Sequence, residues 1–440
     1  MTPARQSASE ADAGPGAVSL NGTGVPETAE EGPLIFLIAG EPSGDLLGAR
    51  LMTALEELTG GKVRFAGVGG PGMAAHGLKT LFPISELAIM GIFETVPHLF
   101  SIYRRIKQTR AEILRQRPAA LVTIDAPSFT LQVAKGLRGQ GIPLIHYVAP
   151  QVWAWKAWRA KELAQYLDLL LVLLPFEPPY FEKYGLNTKF VGHPAVEGRA
   201  EGRAEGEEPA SASNPSANSL AGRDERNRDF RERHGIAEQA RLICVLPGSR
   251  KGEVSRLCKV FGEGLERMSG EIPNLHAVVP TVANVADFVR AETGKWPVPA
   301  TVIEGADEKH DAFEACEAAL AASGTIAVEL AVAGLPTVIG YRVNPLTAWL
   351  ASHILKIKFV SLPNLLLGRL VVPELLQHYM TPETIVSKLS PLMAEGAARQ
   401  KQLGDFTEVV KLLTPHEERP SMVAARQILS QIEHTPATDR

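Results

Sequence analysis

The strongest constraint in this 440-residue sequence is a periodicity that occurs twice. Short apolar runs alternate with longer stretches of helical spacing, and a low-complexity tract separates the two series. The runs of the first series are Leu34–Ala39, Val63–Val68, Ala120–Ile124, Pro143–Val148, Leu169–Leu173 and Lys189–Val191. Helical stretches such as Leu46–Leu58 and Tyr103–Arg117 lie between them. The second series comprises Leu242–Leu246, Leu275–Val279, Thr301–Ile303, Ala318–Ala321 and Thr337–Gly340, and after about residue 373 the pattern reads as helical throughout. Apolar strands alternating with helices build a parallel sheet covered on both faces. The sequence therefore predicts an α/β chain with two such sheets.

A chain of this length exceeds one ordinary core, which agrees with two domains. The boundaries read as a disordered tail at 1–32, a first domain at 33–197, a low-complexity linker at 198–237, a second domain at 238–415, and a C-terminal helix and tail at 416–440. The tail and the stretch 198–230, with its EGRA repeat, hold too few large apolar side chains to offset the entropy of ordering them. The final stretch, Pro420–His434, is apolar enough on one side to pack back on the first domain.

Composition excludes several classes. Apolar residues make up 45% and charged residues 21%, the profile of a globular protein rather than a disordered one. A net charge of −4 argues against nucleic acid as a partner. Cys244, Cys258 and Cys316 show no metal-ligand spacing and fit a reducing cytoplasm. The longest apolar run, Leu169 to Phe176, falls far short of the ~20 residues that span a bilayer.

In a doubly wound sheet, ligands bind beyond the carboxyl ends of the strands, so chemistry is sought in the turns that follow them. The first strand runs into Ala39-Gly40-Glu41-Pro42-Ser43-Gly44-Asp45, where Ser43 or Asp45 can cap the next helix and Glu41 points into the crevice. Thr123-Ile124-Asp125-Ala126-Pro127-Ser128 ends another strand. If Ser128 caps the helix that follows, Asp125 is left for catalysis or substrate binding. Gly67–Gly72 formally matches the dinucleotide fingerprint G-x-G-x-x-G. It sits in the second strand–helix turn, contains Pro71, and lacks the downstream acid at the right distance, so it reads as a turn that admits a bulky substrate. Trp153, Trp155 and Trp158 beside Lys156 and Arg159 form either core packing or a wall against a sugar or lipid.

In the second series, Leu246-Pro247-Gly248-Ser249-Arg250-Lys251 places two cations at a helix start, which suits a diphosphate. Ser323, Gly324 and Thr325 open another helix, and Glu329, four residues on, shares its face and can bond a ribose diol. No D-x-D pair occurs, so a leaving diphosphate would be stabilised by Arg250 and helix N-termini with no metal ligand set.

Taken in order, these turns resemble those of the lipid-A-disaccharide synthase family. The similarity runs through Ala39–Asp45, Gly67–Met73, Met90–Glu94, Ile124–Phe129, Tyr147–Lys156, Leu174–Pro178, Val191–Pro194, Leu246–Glu253, Ser323–Glu329, Gly340–Arg342, Val360–Asn364 and Pro373–Gln377. The resemblance implies the GT-B fold, two Rossmann-like domains facing one another across a cleft. It implies inverting transfer of 2,3-diacylglucosamine from UDP-2,3-diacylglucosamine to 2,3-diacylglucosamine 1-phosphate, without a cofactor. It further implies Asp125 as the base or base-orienting group, with Glu41 as the alternative, and Arg250, Ser249, Ser323, Gly324 and Thr325 on the diphosphate. Glu329 would hold the ribose, Asn364 would line the donor side, and Arg342 and Gln377 would lie near it. Acylated substrates imply a cytoplasmic enzyme peripheral to the inner face of the inner membrane, touching anionic lipid. Ile92, Phe93, Trp153 and Trp155 are the acyl or membrane contacts, beside Arg104, Arg105, Lys107 and Arg110. A homodimer is left open. The competing readings are another GT-B enzyme using UDP-N-acetylglucosamine (a muropeptide glycosyltransferase or a 2-epimerase) and a non-catalytic sugar-nucleotide-binding scaffold.

Overall fold

The computed structural model describes residues 32–87, 95–153, 158–201, 220–342, 358–414 and 418–434. The first sheet contains β1 (Leu34–Ala39), β2 (Arg64–Val68), β3 (Ala120–Ile124), β4 (Leu144–Tyr147), β5 (Leu169–Val172) and β6 (Thr188–Phe190), in the order β2-β1-β3-β4-β5-β6. The second contains β7 (Arg241–Leu246), β8 (Leu275–Thr281), β9 (Ala300–Glu304), β10 (Ala318–Ala322), β11 (Thr337–Tyr341) and β12 (Glu374–Leu376), in the order β12-β11-β10-β7-β8-β9. The strand pairings are parallel, with Phe36 opposite Ala66 and Leu121, and Ala319 opposite Cys244 and Thr337. Strands buried on both faces explain why each run reads as continuous apolar sequence.

Two apolar clusters flank each sheet. Phe36, Ile38 and Leu121 face one side of the first sheet, while Ile35, Leu37 and Val122 face the other. Leu242, Cys244 and Ala319 lie on one side of the second, and Ile243, Val245 and Leu320 on the opposite side. The helix Pro42–Thr59 begins with proline in its first turn and stops at Gly60, whose φ of 59° gives the left-handed cap. Its buried Leu47, Leu51 and Leu55 recur every four residues and lie on β1.

The chain crosses between the domains twice. The helix Pro194–Glu201 leaves the first domain and packs on the helix Ile326–Ala333 of the second. The last helix, Pro420–Glu433, returns to the first domain and buries Ala424, Ala425, Ile428 and Ile432 against the helix Pro42–Thr59. The two crossings are tied together where the His193 amide donates to the Leu413 carbonyl at 3.1 Å.

Two expectations are corrected. The tract read as disordered contains the helix Leu220–His234. Phe230 is fully buried there, Asn227 donates to the Ala315 carbonyl, and Arg233 pairs with Glu308 and Asp311. The apolar anchor Phe230 and cross-helix ion pairs hold this segment. The region after residue 373 is not wholly helical, because β12 adds a three-residue edge strand beside β11. No described helix is long and apolar enough to cross a membrane.

Candidate active site

Each sheet has one place where connections depart in opposite directions, and a crevice opens there. In the first sheet it lies between β1 and β3, so the turn carrying Glu41 and the turn carrying Asp125 are neighbours. They touch closely. A β-carbon on Gly40 would stand 2.3 Å from that of Ala126, so only glycine fits between the turns. Asp125 and Ala126 both adopt left-handed backbone, with φ of 47° and 44°, and Val148 at the end of β4 does so at 78°. Such conformations cost about 1–3 kcal/mol each in non-glycine residues and persist only where their surroundings over-determine them. Here the Asp125 amide donates to the Tyr147 carbonyl at 2.9 Å. The Thr130 hydroxyl donates to the carbonyls of Asp125 and Ala126 at 2.6 and 3.0 Å.

The capping assignments are corrected. Neither Ser43 nor Asp45 caps the helix Pro42–Thr59, whose start has no side-chain cap. Asp45 instead turns away, buried, and accepts from the amides of Gly70, Gly72 and Met73 at 2.7, 2.8 and 3.1 Å. It thereby caps the short helix Pro71–Ala75 and fixes the glycine-rich turn. Ser128 is exposed and likewise caps nothing, since the next helix starts at Thr130 without a side-chain cap.

Burial raises the carboxyl of Asp125 above its ordinary range, partly offset by the Ala126 amide. Glu41 is also raised, first by burial and then by the charge of Asp125, while Arg250 pulls it down. Arg250 belongs to the second domain, so its influence on Glu41 places the two strand-end turns on one cleft.

In the second sheet the corresponding crevice lies between β7 and β10, with 3-2-1-4-5-6 strand order counted from β7. Beyond β7 stand Gly248, Ser249 and Arg250, and beyond β10 stand Ser323, Gly324 and Thr325. A β-carbon on Gly248 would lie 2.7 Å from Glu253 Oε2, and its φ is 114°. Ser249, Arg250, Gly324 and Thr325 are exposed, and Ser323 is half-buried. The helices Lys251–Ser269 and Ile326–Ala333 both start without a side-chain cap, so their first-turn amides point out unclaimed by a capping side chain. Arg250 Nη1 lies 3.3 Å from Glu253 Oε1 with its side chain mostly in solvent. Glu329 is not the bare carboxylate that its sequence context implies, for Lys309 Nζ lies 2.6 Å from its Oε2.

Arg342 and Gln377 come together. Arg342 Nη2 donates to the carbonyls of Met380 at 2.8 Å and Gln377 at 3.4 Å, and its own carbonyl accepts from Arg256 at 3.1 Å. Both lie at the carboxyl ends of β11 and β12, where they brace the rim.

Asn364 is placed differently from the cleft-lining role that the resemblance implies. Its side chain is fully buried. The amide nitrogen donates to Val372 O and Glu374 Oε1, and the amide oxygen accepts from Val371 and Val372, each bond 2.7–2.8 Å long. An amide has two donor and two acceptor positions, and all four are used. Glu374 also accepts from the amides of Val360 and Ser361, so the pair anchors the start of the helix Leu362–Leu367.

Trp153 is corrected as a membrane contact. Its indole donates to Glu177 at 3.3 Å, meets Phe176 edge-on, and packs on the core of the second domain. Ile92, Phe93, Trp155 and Lys156 lie outside the described residues. Arg105 is tied to Glu86 at 2.7 Å and stacks on Phe82, and Arg110 bonds the Gln132 and Val133 carbonyls. Sequence reasoning assigned no role to Lys309, His193 or Glu177. Only Val191–Pro194 and Leu174–Pro178 carried a hint, as stretches of the resemblance.

Two doubly wound sheets whose reversal points share a cleft, one offering carboxylates and the other cations and helix starts, define a GT-B-type sugar-nucleotide enzyme. The model of the lipid-A-disaccharide synthetase family matches residues 35–210 and 215–429. The lipid-A-disaccharide synthase of Rhodospirillum centenum is 47% identical over 409 residues, covering 92% of this chain and 96% of its own. Among solved structures, S. aureus MnaA with UDP is similar at a TM-score of 0.58 and 12% identity, covering 92% of this chain and 96% of that one. The glycosyltransferase of kitacinnamycin gives 0.54 at 16% identity, covering 91% and 99%. The structural likenesses establish the fold. The chain belongs to the lipid-A-disaccharide synthase family and is a glycosyltransferase. That membership sets aside the epimerase, muropeptide-transferase and scaffold readings.

Proposed function

We propose that the cleft transfers 2,3-diacylglucosamine from its UDP derivative to the 6-hydroxyl of 2,3-diacylglucosamine 1-phosphate. The acceptor oxygen attacks the anomeric carbon as the bond to the UDP oxygen breaks, and the configuration inverts. The proton passes to Asp125, or to Glu41 if Asp125 only orients the acceptor; a carboxyl held above its ordinary range is the stronger base when ionised. Arg250, Ser249, Ser323, Gly324, Thr325 and the free helix amides take the diphosphate charge, and Glu329 takes the ribose. Arg342 and Gln377 support this rim through the Arg342–Gln377 contact. The observation that carries the reading is the meeting of the Glu41 and Asp125 turns at the ends of β1 and β3, where a β-carbon on Gly40 would stand 2.3 Å from that of Ala126, with Arg250 near enough to draw the Glu41 carboxyl down.

The test is transfer of radiolabelled sugar from UDP-2,3-diacylglucosamine to the 1-phosphate acceptor, with and without excess EDTA. We expect the labelled disaccharide phosphate and UDP in both. Absence of transfer would overturn the substrates, and strict dependence on added Mg²⁺ would overturn the account of leaving-group stabilisation.

Both substrates are acylated, which supports contact with an anionic bilayer. Phe100, Tyr103, Arg104 and Lys107 are exposed and share one face of the helix Thr95–Gln116, and Lys107 Nζ stands 4.7 Å from the Tyr103 ring centre. An apolar and basic face of this kind suits the headgroup layer. Binding to anionic vesicles should weaken in Phe100→Glu, whereas unchanged sedimentation would place the contact elsewhere.

A further inference from the structure

Lys309 occupies the first turn of the helix Ala306–Ala315, its amide donating to the Gly305 carbonyl at 3.2 Å. A cation there opposes the helix dipole, so the helix itself gains nothing from the charge. Two acidic groups of that helix are engaged elsewhere. Glu308 meets Arg233 and His234, and Asp311 meets Arg233. Lys309 turns toward the helix Ile326–Ala333 and pairs with Glu329, and both side chains are about three-quarters shielded from solvent.

Only one oxygen of Glu329 is engaged in that pair. Oε2 meets Lys309 Nζ at 2.6 Å, and Oε1 accepts no hydrogen bond among the described residues. His193, a buried ionisable group that feels Glu329, is held down to about 4 by burial, so it is neutral at physiological pH. Among the described residues the counter-charge to Glu329 is therefore Lys309. A carboxylate pinned at one oxygen loses its torsional freedom, and the second oxygen is left at a defined place one helical turn from Thr325.

We propose that Lys309 is a positioning residue of the nucleotide site: it fixes Oε2 of Glu329 and so aims Oε1 at the two ribose hydroxyls of the bound nucleotide. The proposal rests on the reading of Glu329 as the ribose ligand. It adds that the recognition is built by two helices, one supplying the acceptor and the other its orientation.

The experiment compares the dissociation constants of UDP and 2′,3′-dideoxy-UDP by titration calorimetry on the full chain. The parent should prefer UDP by about tenfold or more, the worth of hydrogen bonds to a charged acceptor. Glu329→Gln should lose most of that preference. Lys309→Met should lose at least about threefold of it while binding dideoxy-UDP like the parent, and Lys309→Arg should restore it. If Lys309→Met weakens both nucleotides equally, or neither, Lys309 does not position the carboxylate and the proposal fails while Glu329 keeps its role. A parent that binds both nucleotides equally would remove the ribose reading itself, and the proposal with it. Should Lys309→Met not fold by circular dichroism, Lys309→Gln, which keeps a polar group without the charge, decides by the same comparison.

Discussion

Glu41 and Asp125 stand at the ends of neighbouring strands, β1 and β3, and the charge of Asp125 helps to hold the Glu41 carboxyl above its ordinary range. In the proposed reaction one of these two carboxylates is the base. Asp125→Asn should keep the fold and lose about 10²–10⁴-fold in kcat/KM, the usual worth of a general base. A loss under tenfold would transfer the role to Glu41. The sign of the pH dependence follows from the raised carboxyls. Activity falls as pH drops and the base is protonated, with the acid limb of kcat/KM above the ordinary carboxylate range. Removing the Asp125 charge should move the Glu41 titration downward, which a ¹³C-carboxyl NMR titration of Asp125→Asn reads directly.

The Asn364–Glu374 anchor predicts a change in stability. Asn364→Ala strands the buried amides of Val371 and Val372 and leaves Glu374 with one donor fewer. A loss of about 2–4 kcal/mol in urea unfolding is expected, from the ~1–3 kcal/mol cost of each unpaired buried group. If stability stays within about 0.5 kcal/mol of the parent, the four bonds are not what holds this turn.

Glu177 predicts a pH-dependent melting temperature. Burial pushes its carboxyl up to about 7, against hydrogen bonds from Leu174 and Trp153 that pull the other way. With the folded value above the unfolded 4.5, its contribution to stability is fully present below about 4.5 and is lost as pH rises through about 7. The melting temperature should fall between pH 5 and 8 in the parent, and Glu177→Gln should flatten that fall. Identical slopes in both proteins would contradict the assignment.

The helix Leu220–His234 predicts unequal tolerance along one polar tract. Replacing residues 202–219 with a short Gly/Ser linker should leave activity and melting temperature nearly unchanged, since that sequence is polar and low in complexity. Phe230→Ala should cost about 3–5 kcal/mol, because a fully buried ring leaves a cavity. Equal tolerance of both changes would mean that Phe230 does not anchor the helix.

The central strands were legible because burial on both faces writes them as unbroken apolar runs, and the candidate turns could be picked out because such sheets bind at strand ends. What escaped was tertiary in origin. Leu220–His234 is anchored by Phe230 and by Glu308, Asp311 and Ala315, some eighty positions away. The strand Glu374–Leu376 is too short to show a period. Asp45 looked like a cap for its own helix and caps another, because its partners Gly70 and Gly72 are unreadable from the local sequence. Lys309 has the profile of any solvated helix lysine until Glu329 is placed against it. Asn364 was placed on the donor side by the family resemblance, whereas its partners include backbone groups seven and eight residues later.

The return of the last helix to the first domain governs the order in which the chain can mature during synthesis. Ile428 and Ile432 complete an apolar cluster that begins with Ile35 and Leu37. A ribosome that has released the first two hundred residues has delivered six strands, with one flank covered by the helix Pro42–Thr59 but still lacking the last helix. The second domain has its strands and most of its helices in hand earlier relative to its own length, since its elements run consecutively from Leu220 to Leu413. The half made first is therefore the half that closes last, and until then the apolar side chains that await the last helix are surface for a chaperone to cover. A chain cut at Arg419 would keep the turns of Glu41 and Asp125 in sequence and leave the domain that carries them unable to seal.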